Sequence, residues 1–377
     1  MKQIQVKKSM KIVIVGTRGI PDLYRGFEKG AQYIALGLAE RGHEVTVYNS
    51  HNHSYQGADW CGIKLIHVYD PEYKLGALGN FIYDYNCFKD LKNRKCDLVI
   101  QFGASSSFWS WLMPKNTLLI SNISSTEWKR SRHGIIRSRF LRLAEKFAVR
   151  YSDSLVSDST IVNYYLNKRY QKRAKYIAQG VDVVFTNAND ELLKIEDVKP
   201  FEYNLYIGSL EKDGVAELIL DGVVASGIEK IFLVIGNYSS KFGSYLSEKY
   251  QPYAHIKFLG SVYEADRLDN LRYFSNLYFY GSGHDGSVHL LLEAMASNCL
   301  ITAYDNDANR SILTSDSFYF QDSEAVAKQL IAVEAKMVHH VQRIDRNKAK
   351  IREIYNWSNV VDQYVAHFDE LIAGRNF

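Results

Sequence analysis

Proline and cysteine are scarce in this chain, and no stretch of it stays apolar for long. Pro occurs only 5 times in 377 residues while hydrophobic residues make up 46%. That balance excludes a proline-rich or disordered polypeptide and points to a packed globular one, long enough for two domains. The four cysteines, Cys61, Cys87, Cys96 and Cys299, are scattered and form no C-x-x-C pair. That pattern argues against a disulfide scaffold or a structural zinc site, and a reducing cytosol fits. No apolar run reaches the roughly 18 residues that a spanning helix needs. The basic start leads into a short strand rather than the apolar core of a signal peptide. A net charge of +4 is too small to imply nucleic acid. Short repeats and low-complexity tracts are lacking as well.

What is present is an alternation of strand and helix patterns. Lys11 to Val15 is an apolar run that ends in Gly16-Thr17-Arg18-Gly19-Ile20-Pro21. A helix face follows at Phe27, Ala31, Ile34, Ala35 and Leu38, then a strand from Glu44 to Tyr48. This order opens a parallel, doubly wound sheet. Further strands are predicted at Lys64–Val68, Asp97–Gln101, Thr117–Ser121, Ser154–Ser157 and Ala174–Ile177, with helices over Leu141–Val149 and Ile161–Arg169. The pattern fades between Val183 and Pro200, where a linker is expected. It restarts with strands at Asn204–Ile207, Lys230–Ile235, His255–Leu259, Leu277–Tyr280 and Leu300–Ala303, and with helices over Val215–Ala225 and Asp266–Tyr273. The tail from Ala335 to Leu371 reads as helical. The expectation is an α/β protein of two Rossmann-like domains, 1–190 and 191–377, with a last helix that can return to the first.

The most informative stretch is Tyr278 to Asn298, YFYGSGHDGSVHLLLEAMASN. Glycines 281, 283 and 286 interrupt an apolar run. Val288, Leu291, Leu292 and Met295 then take helical spacing, with Ser287 placed to cap the helix. A glycine turn between strand and helix gathers free backbone N–H groups and a positive dipole end, which suits a phosphate. Asp285 at the mouth and Glu293 two turns in can both face one ligand. Gly16-x-x-Gly19 is short of a full dinucleotide fingerprint, and no acid clearly ends the second strand, which weakens a nicotinamide reading.

The spacing of Asp285 and Glu293 resembles the E-x7-E element of family 4 glycosyltransferases of the GT-B fold. Other blocks are similar to the rhamnosyltransferase-like group of that family, whose N-terminal domain is of the DUF1972 type. They are GTRGIPDLYRGFE, NISSTEWKR (Asn122 to Arg130), Leu155 to Tyr170 with Asp158, Gly236-Asn237, Leu259 to Tyr263, and Asp305-Asn306 with Asn309-Arg310. The resemblance covers nearly the whole chain. It implies a retaining transferase that moves a hexose, L-rhamnose from dTDP-L-rhamnose, onto a lipid-linked saccharide in bacterial surface polysaccharide (O-antigen or capsule) synthesis. It implies no metal and no cofactor beyond the nucleotide-sugar substrate.

Carried over by that resemblance, Glu293 would accept from the ribose hydroxyls and Asp285 from the donor sugar. Gly286, Ser287 and Val288 would meet the distal phosphate. Lys212 would supply charge to the diphosphate, because Ser209 stands where relatives have arginine; Asn237 completes the donor side. Gly16, Arg18 and Gly19 would form a loop near donor or acceptor. Glu127 and Asp158 would orient the acceptor hydroxyl or act as a base. Asp305-Asn306-Asp307 has the look of a metal site, but it matches a block of the family that binds none. Ser124 and Ser125 replace an Asp-Gly pair, and Arg25 replaces a glycine. These departures keep other readings open: an epimerase or hydrolase on the same fold, or a degenerate transferase acting as a scaffold. An oxidoreductase is more distant. Lys129, Arg130, Arg132, His133, Arg137, Arg139, Arg142, Lys146 and Arg150, interleaved with apolar residues, suggest a peripheral protein on the anionic cytoplasmic membrane face.

Overall fold

The computed structural model describes residues 9–21, 26–124, 135–182, 188–212, 214–281, 288–333 and 339–375. The chain divides into two compact units, Met1–Gln179 with Trp357–Phe377, and Gly180–Asn356.

The first unit is built on strands β1 (Lys11–Val15), β2 (Glu44–Ser50), β3 (Asp59–Trp60), β4 (Ile63–Val68), β5 (Leu98–Phe102), β6 (Leu118–Asn122), β7 (Ser154–Ser157) and β8 (Lys175–Tyr176). Their order is β3-β4-β2-β1-β5-β6-β7-β8. Every pairing is parallel except that of β3 with β4. That exception is a hairpin whose turn residues Cys61 and Gly62 both take positive φ, as a tight primed turn requires. A sheet covered on both faces needs apolar side chains in both directions, which is why β1 reads KIVIV without a polar break after Lys11. Ile12 and Ile14 enter one core layer with Ala31, Ile34 and Leu38. Val13 and Val15 enter the other with Tyr48, Tyr83, Phe88 and Val99.

The last helix, Trp357–Arg375, groups with this unit, the return that the sequence left open for it. Its Val360, Val361, Tyr364, Val365 and Phe368 fill the first of those layers. Gly37 makes the close packing possible, since a Cβ there would lie 2.6 Å from a methyl of Val361. Tyr33 stacks on Trp357 at 4.8 Å, and Arg41 bonds Asp362 at 2.8 Å.

The second unit holds β9 (Tyr203–Ile207), β10 (Ile231–Ile235), β11 (Ile256–Gly260), β12 (Tyr278–Tyr280), β13 (Ile301–Tyr304) and β14 (Phe318–Phe320). All pairings are parallel, in the order β11-β10-β9-β12-β13-β14. Tyr206, Phe232, Val234, Phe279 and Phe320 share one core layer with Leu220, Val223, Val326 and Leu330 of the covering helices. The linker expected from 183 to 200 is partly ordered structure of this unit. Asn189 caps a short helix, Asp190–Glu196, by accepting from the Glu191 amide. That helix buries Leu193 and pairs its buried Glu196 with Arg267. Among the described residues the predicted helical tail holds the helices Val341–Glu353 and Trp357–Arg375. The break falls at Tyr355-Asn356, where the Val181 amide donates to the Tyr355 carbonyl at 2.8 Å and Val181 bridges Asn356.

Candidate functional sites at the two sheets

Numbered within its own unit, the second sheet follows the order 3-2-1-4-5-6, and the first follows the same order once the short antiparallel strand β3 is set aside, with β8 added beyond β7. In such sheets the connections leave in opposite directions on either side of the first strand. A crevice opens beyond the carboxyl ends there, and ligands occupy it. The switch points are β1/β5 in the first unit and β9/β12 in the second.

At the second switch point, β9 runs into Gly208 and Ser209, and β12 runs into Gly281. Asp285, Gly286 and Ser287, with His284, lie outside the described residues, as does the expected cap at Ser287. Val288 begins the helix Val288–Ala296, whose Leu291, Leu292 and Met295 are buried as the spacing required. Glu293 is on the same helix and half-buried. One of its carboxylate oxygens accepts from Arg272 Nη2 at 2.6 Å. Arg272, whose side chain is 2% exposed, also donates from Nη1 to Asp269 at 3.0 Å. Ser209 and Lys212 are exposed in the segment after β9, and the Ser209 carbonyl accepts from the Tyr206 hydroxyl at 3.0 Å. Asn237 is exposed after β10, and its side-chain oxygen accepts from the Ser239 amide at 3.0 Å, which shapes the turn into the next helix. His289 is half-buried on the helix. Asp305 and Asn306 have structural partners: Asp305 makes a two-pronged pair with Arg310, and Asn306 caps the helix Asp307–Leu313. Among the described residues no group of three or more His, Cys, Asp or Glu can hold a metal ion.

At the first switch point, Gly16 follows β1 with φ +86°, and a Cβ there would sit 2.2 Å from the Phe102 carbonyl oxygen at the end of β5. Only glycine fits that position, for both reasons. Gly19 follows at φ +122°, and Asn49 pins the loop by bonding both the amide and the carbonyl of Ile20. Arg18 folds onto its own unit. Its Nε pairs with Glu72 at 3.1 Å, its guanidinium covers the Tyr83 ring at 4.6 Å, and its backbone amide donates to Glu28 at 3.1 Å. Asp84 is buried nearby, and that burial pushes its carboxyl up to about 7.

Asp158 lies just beyond β7 and Ser124 just beyond β6. Glu127 and Ser125 lie outside the described residues. Burial raises the Asp158 carboxyl to about 6, while the nearby Ser124 hydroxyl works the other way. Ser124 Oγ donates to the Asn122 side chain at 3.2 Å, and Asn122 Nδ2 donates to the Tyr364 hydroxyl at 2.8 Å. Ser124, read from the sequence only as a departure from a pattern, is thus a neighbour of the candidate base.

Sequence reasoning missed Arg272, Asp269, Asn122 and Tyr364. Asp269 and Arg272 share a helix face at i and i+3, a visible signal. Their partner Glu293 is 21 positions beyond Arg272, so the triad exists only in the fold.

Residues 106–182 match a family described only as a domain of unknown function, DUF1972. No curated protein matches the chain. Among solved structures it is similar to sucrose-phosphate synthase from Thermosynechococcus elongatus, at 14% identity and TM-score 0.75, covering 97% of this chain and 100% of that one. Anabaena HepE in complex with UDP and glucose is similar at 14% identity and TM-score 0.74, over 96% of this chain and 100% of that one. WaaG, a glycosyltransferase involved in lipopolysaccharide biosynthesis, is similar at 16% identity and TM-score 0.65, over 93% and 97%. The chain therefore has the α/β fold of GT-B glycosyltransferases, with parallel-sheet, Rossmann-like domains.

Proposed function

We propose that this protein is a retaining glycosyltransferase that takes a hexose from a nucleotide diphosphate sugar, L-rhamnose from dTDP-L-rhamnose, and places it on a lipid-linked saccharide of a bacterial surface polysaccharide. The observation that carries the reading is the second switch point. There a glycine-rich sequence leads from β12 into a helix that bears Glu293, in a chain whose fold throughout is that of nucleotide-sugar transferases. In this reading Glu293 accepts from the pentose of the nucleotide, the 3′-hydroxyl when the donor is dTDP-L-rhamnose, and the helix N-terminus with Gly286, Ser287 and Val288 meets the distal phosphate. Asp285 meets the donor sugar, and Lys212 the diphosphate. The acceptor hydroxyl oxygen bonds to the anomeric carbon as the bond from that carbon to the diphosphate oxygen breaks. The proton goes to the leaving phosphate or to Asp158. No metal ion is assigned a role. Thermal-shift measurement against a panel of nucleotide sugars tests this, because a ligand at about 100 times its Kd adds roughly 2.7 kcal/mol of stability. The expected result is an upward shift with a subset of donors sharing one base. No shift with any of them favours the scaffold reading, and donor breakdown without acceptor favours an epimerase or hydrolase.

The helix Ile135–Tyr151 supports the membrane part of the proposal. Arg137, Arg139, Arg142, Lys146 and Arg150 are exposed on it, and so are Phe140 and Leu143. Glu145, the acid of this helix, turns inward and accepts from the hydroxyls of Tyr165 and Tyr170, both at 2.7 Å. Neighbouring helices expose apolar side chains as well, Trp111 (59% exposed) and Leu78 (69%). Stacking of Phe108 on Phe140 and the edge contact of Phe81 with both hold these helices together. No described helix is long and apolar enough to cross a membrane. Exposed bases beside apolar side chains suit an anionic lipid surface, each Lys or Arg contributing about 1 kcal/mol. Flotation with anionic liposomes should recover wild type at low salt but not at high salt. The triple change of Arg137, Arg139 and Arg142 to Glu should abolish recovery; equal recovery of both proteins rejects the docking.

A further inference from the structure

Arg272 is a guanidinium inside the second unit, bonded to two carboxylates from two helices. It sits on the helix Ala265–Tyr273 and spans Asp269 of its own helix, at 3.0 Å, and Glu293 of the helix that follows β12, at 2.6 Å. Ser297 tightens the corner, since its hydroxyl donates to the Glu293 carbonyl at 2.7 Å and lies 3.4 Å from Asp269. Burying a charge cluster is costly, and apolar side chains of the same volume stabilise a fold as well or better. A buried arginine does offer a planar, rigid fork that fixes the direction of a carboxylate, which neither lysine nor an apolar side chain can do. Of its two partners, Asp269 is the more enclosed, with its side chain 15% exposed against 22% for Glu293. The asymmetry suits an anchor on one side and a working group on the other.

We propose that Arg272 is a positioning residue for nucleotide recognition. Anchored by Asp269, it holds the Glu293 carboxylate in the single orientation from which it accepts hydrogen bonds from the ribose. The inference rests on the reading of Glu293 as the ribose acceptor. Arg272 touches no ligand itself and acts through Glu293.

The test separates the two claims. Calorimetric affinities are measured for uridine diphosphate against 2′,3′-dideoxyuridine diphosphate, and for thymidine diphosphate against its 3′-deoxy analogue. The proteins are wild type, Glu293→Gln, Arg272→Met, Arg272→Lys and the double variant Arg272→Met with Glu293→Gln. Wild type should prefer the hydroxyl-bearing nucleotide by about tenfold, and Glu293→Gln should lose most of that preference. Arg272→Met should lose it too, and the double variant should lose no more, because residues acting through one contact are not additive. Arg272→Lys, which keeps the charge without the fork, should be intermediate and supplies the answer if the methionine variant does not fold. Wild-type preference in both Arg272 variants overturns the inference while leaving Glu293 as the ribose acceptor. No preference in wild type, or no binding of either diphosphate, overturns the Glu293 reading and this inference with it.

Discussion

Asp158 in the first unit and Glu293 in the second each follow closely on a strand of a parallel sheet, and their surroundings treat them in opposite ways. Glu293 meets a buried guanidinium, so its direction is fixed. Asp158 has a hydroxyl neighbour in Ser124 and is pushed up to about 6 by burial. A carboxylate held by arginine is built to accept hydrogen bonds. One left with neutral partners is built to gain and lose a proton. The difference predicts two kinds of failure when each is changed to its amide.

The largest effect is expected at Asp158. If it handles the acceptor proton, Asp158→Asn should lower kcat by about 100-fold or more with little change in donor affinity. The same substitution should not harm the fold at neutral pH. A raised carboxyl means that the native state still holds a proton the unfolded chain has released between about pH 4 and 6, so stability falls as pH rises through that window and the penalty is complete above it. Asp158→Asn removes the penalty, so its Tm should exceed that of wild type at neutral pH and the gap should close toward pH 4. A gap independent of pH would show that Asp158 does not titrate in this range. Full activity of the variant would assign the proton to the leaving phosphate alone.

Glu293→Gln should do the reverse, weakening nucleotide affinity while leaving the pH dependence of stability from Asp158 in place. A hydrogen bond to a charged group contributes about 1.5–3 kcal/mol, so a loss of tenfold or more is expected. Loss of equal size for nucleoside diphosphate and for its hydroxyl-free analogue would show that Glu293 acts elsewhere than at the ribose.

A smaller effect is expected at Lys212, exposed in the segment after β9. Lys212→Ala should weaken diphosphate binding several-fold and leave the bare nucleoside unaffected, since an exposed charge contributes only about 1 kcal/mol or less. Equal effects on both ligands would remove Lys212 from the phosphate. Ser209→Arg probes the same place from the other side, by adding a second cation there.

The parallel strands were legible in the sequence because a sheet buried on both faces leaves unbroken apolar runs. β1 and β7 have the predicted ends, and the other predicted strands fall within a residue or two of the observed ones. β14 was not legible: three residues, Phe318–Phe320, are too short for any period to show. The helix Lys241–Tyr250 is hard to read from its sequence, KFGSYLSEKY, because half its positions are polar and one is glycine; Ser240, which caps it, is its clearest mark. The tail reads as helical throughout because nothing in Tyr355-Asn356 breaks a helix by itself; the observed break falls where Val181 pairs with Tyr355 and Asn356. At the candidate site, the glycines and the acids were visible as types and spacings. The environment that separates Glu293 from Asp158 was not. A buried arginine 21 positions before one acid, and a tyrosine on the last helix bonded to Asn122, are products of the fold.

The most direct test of the central claim is calorimetric titration of uridine and thymidine diphosphates into wild type and into Glu293→Gln. At least one diphosphate should bind wild type, with an affinity at least about tenfold lower in the variant. Binding of neither diphosphate to wild type, or equal affinity in the two proteins, would contradict that claim.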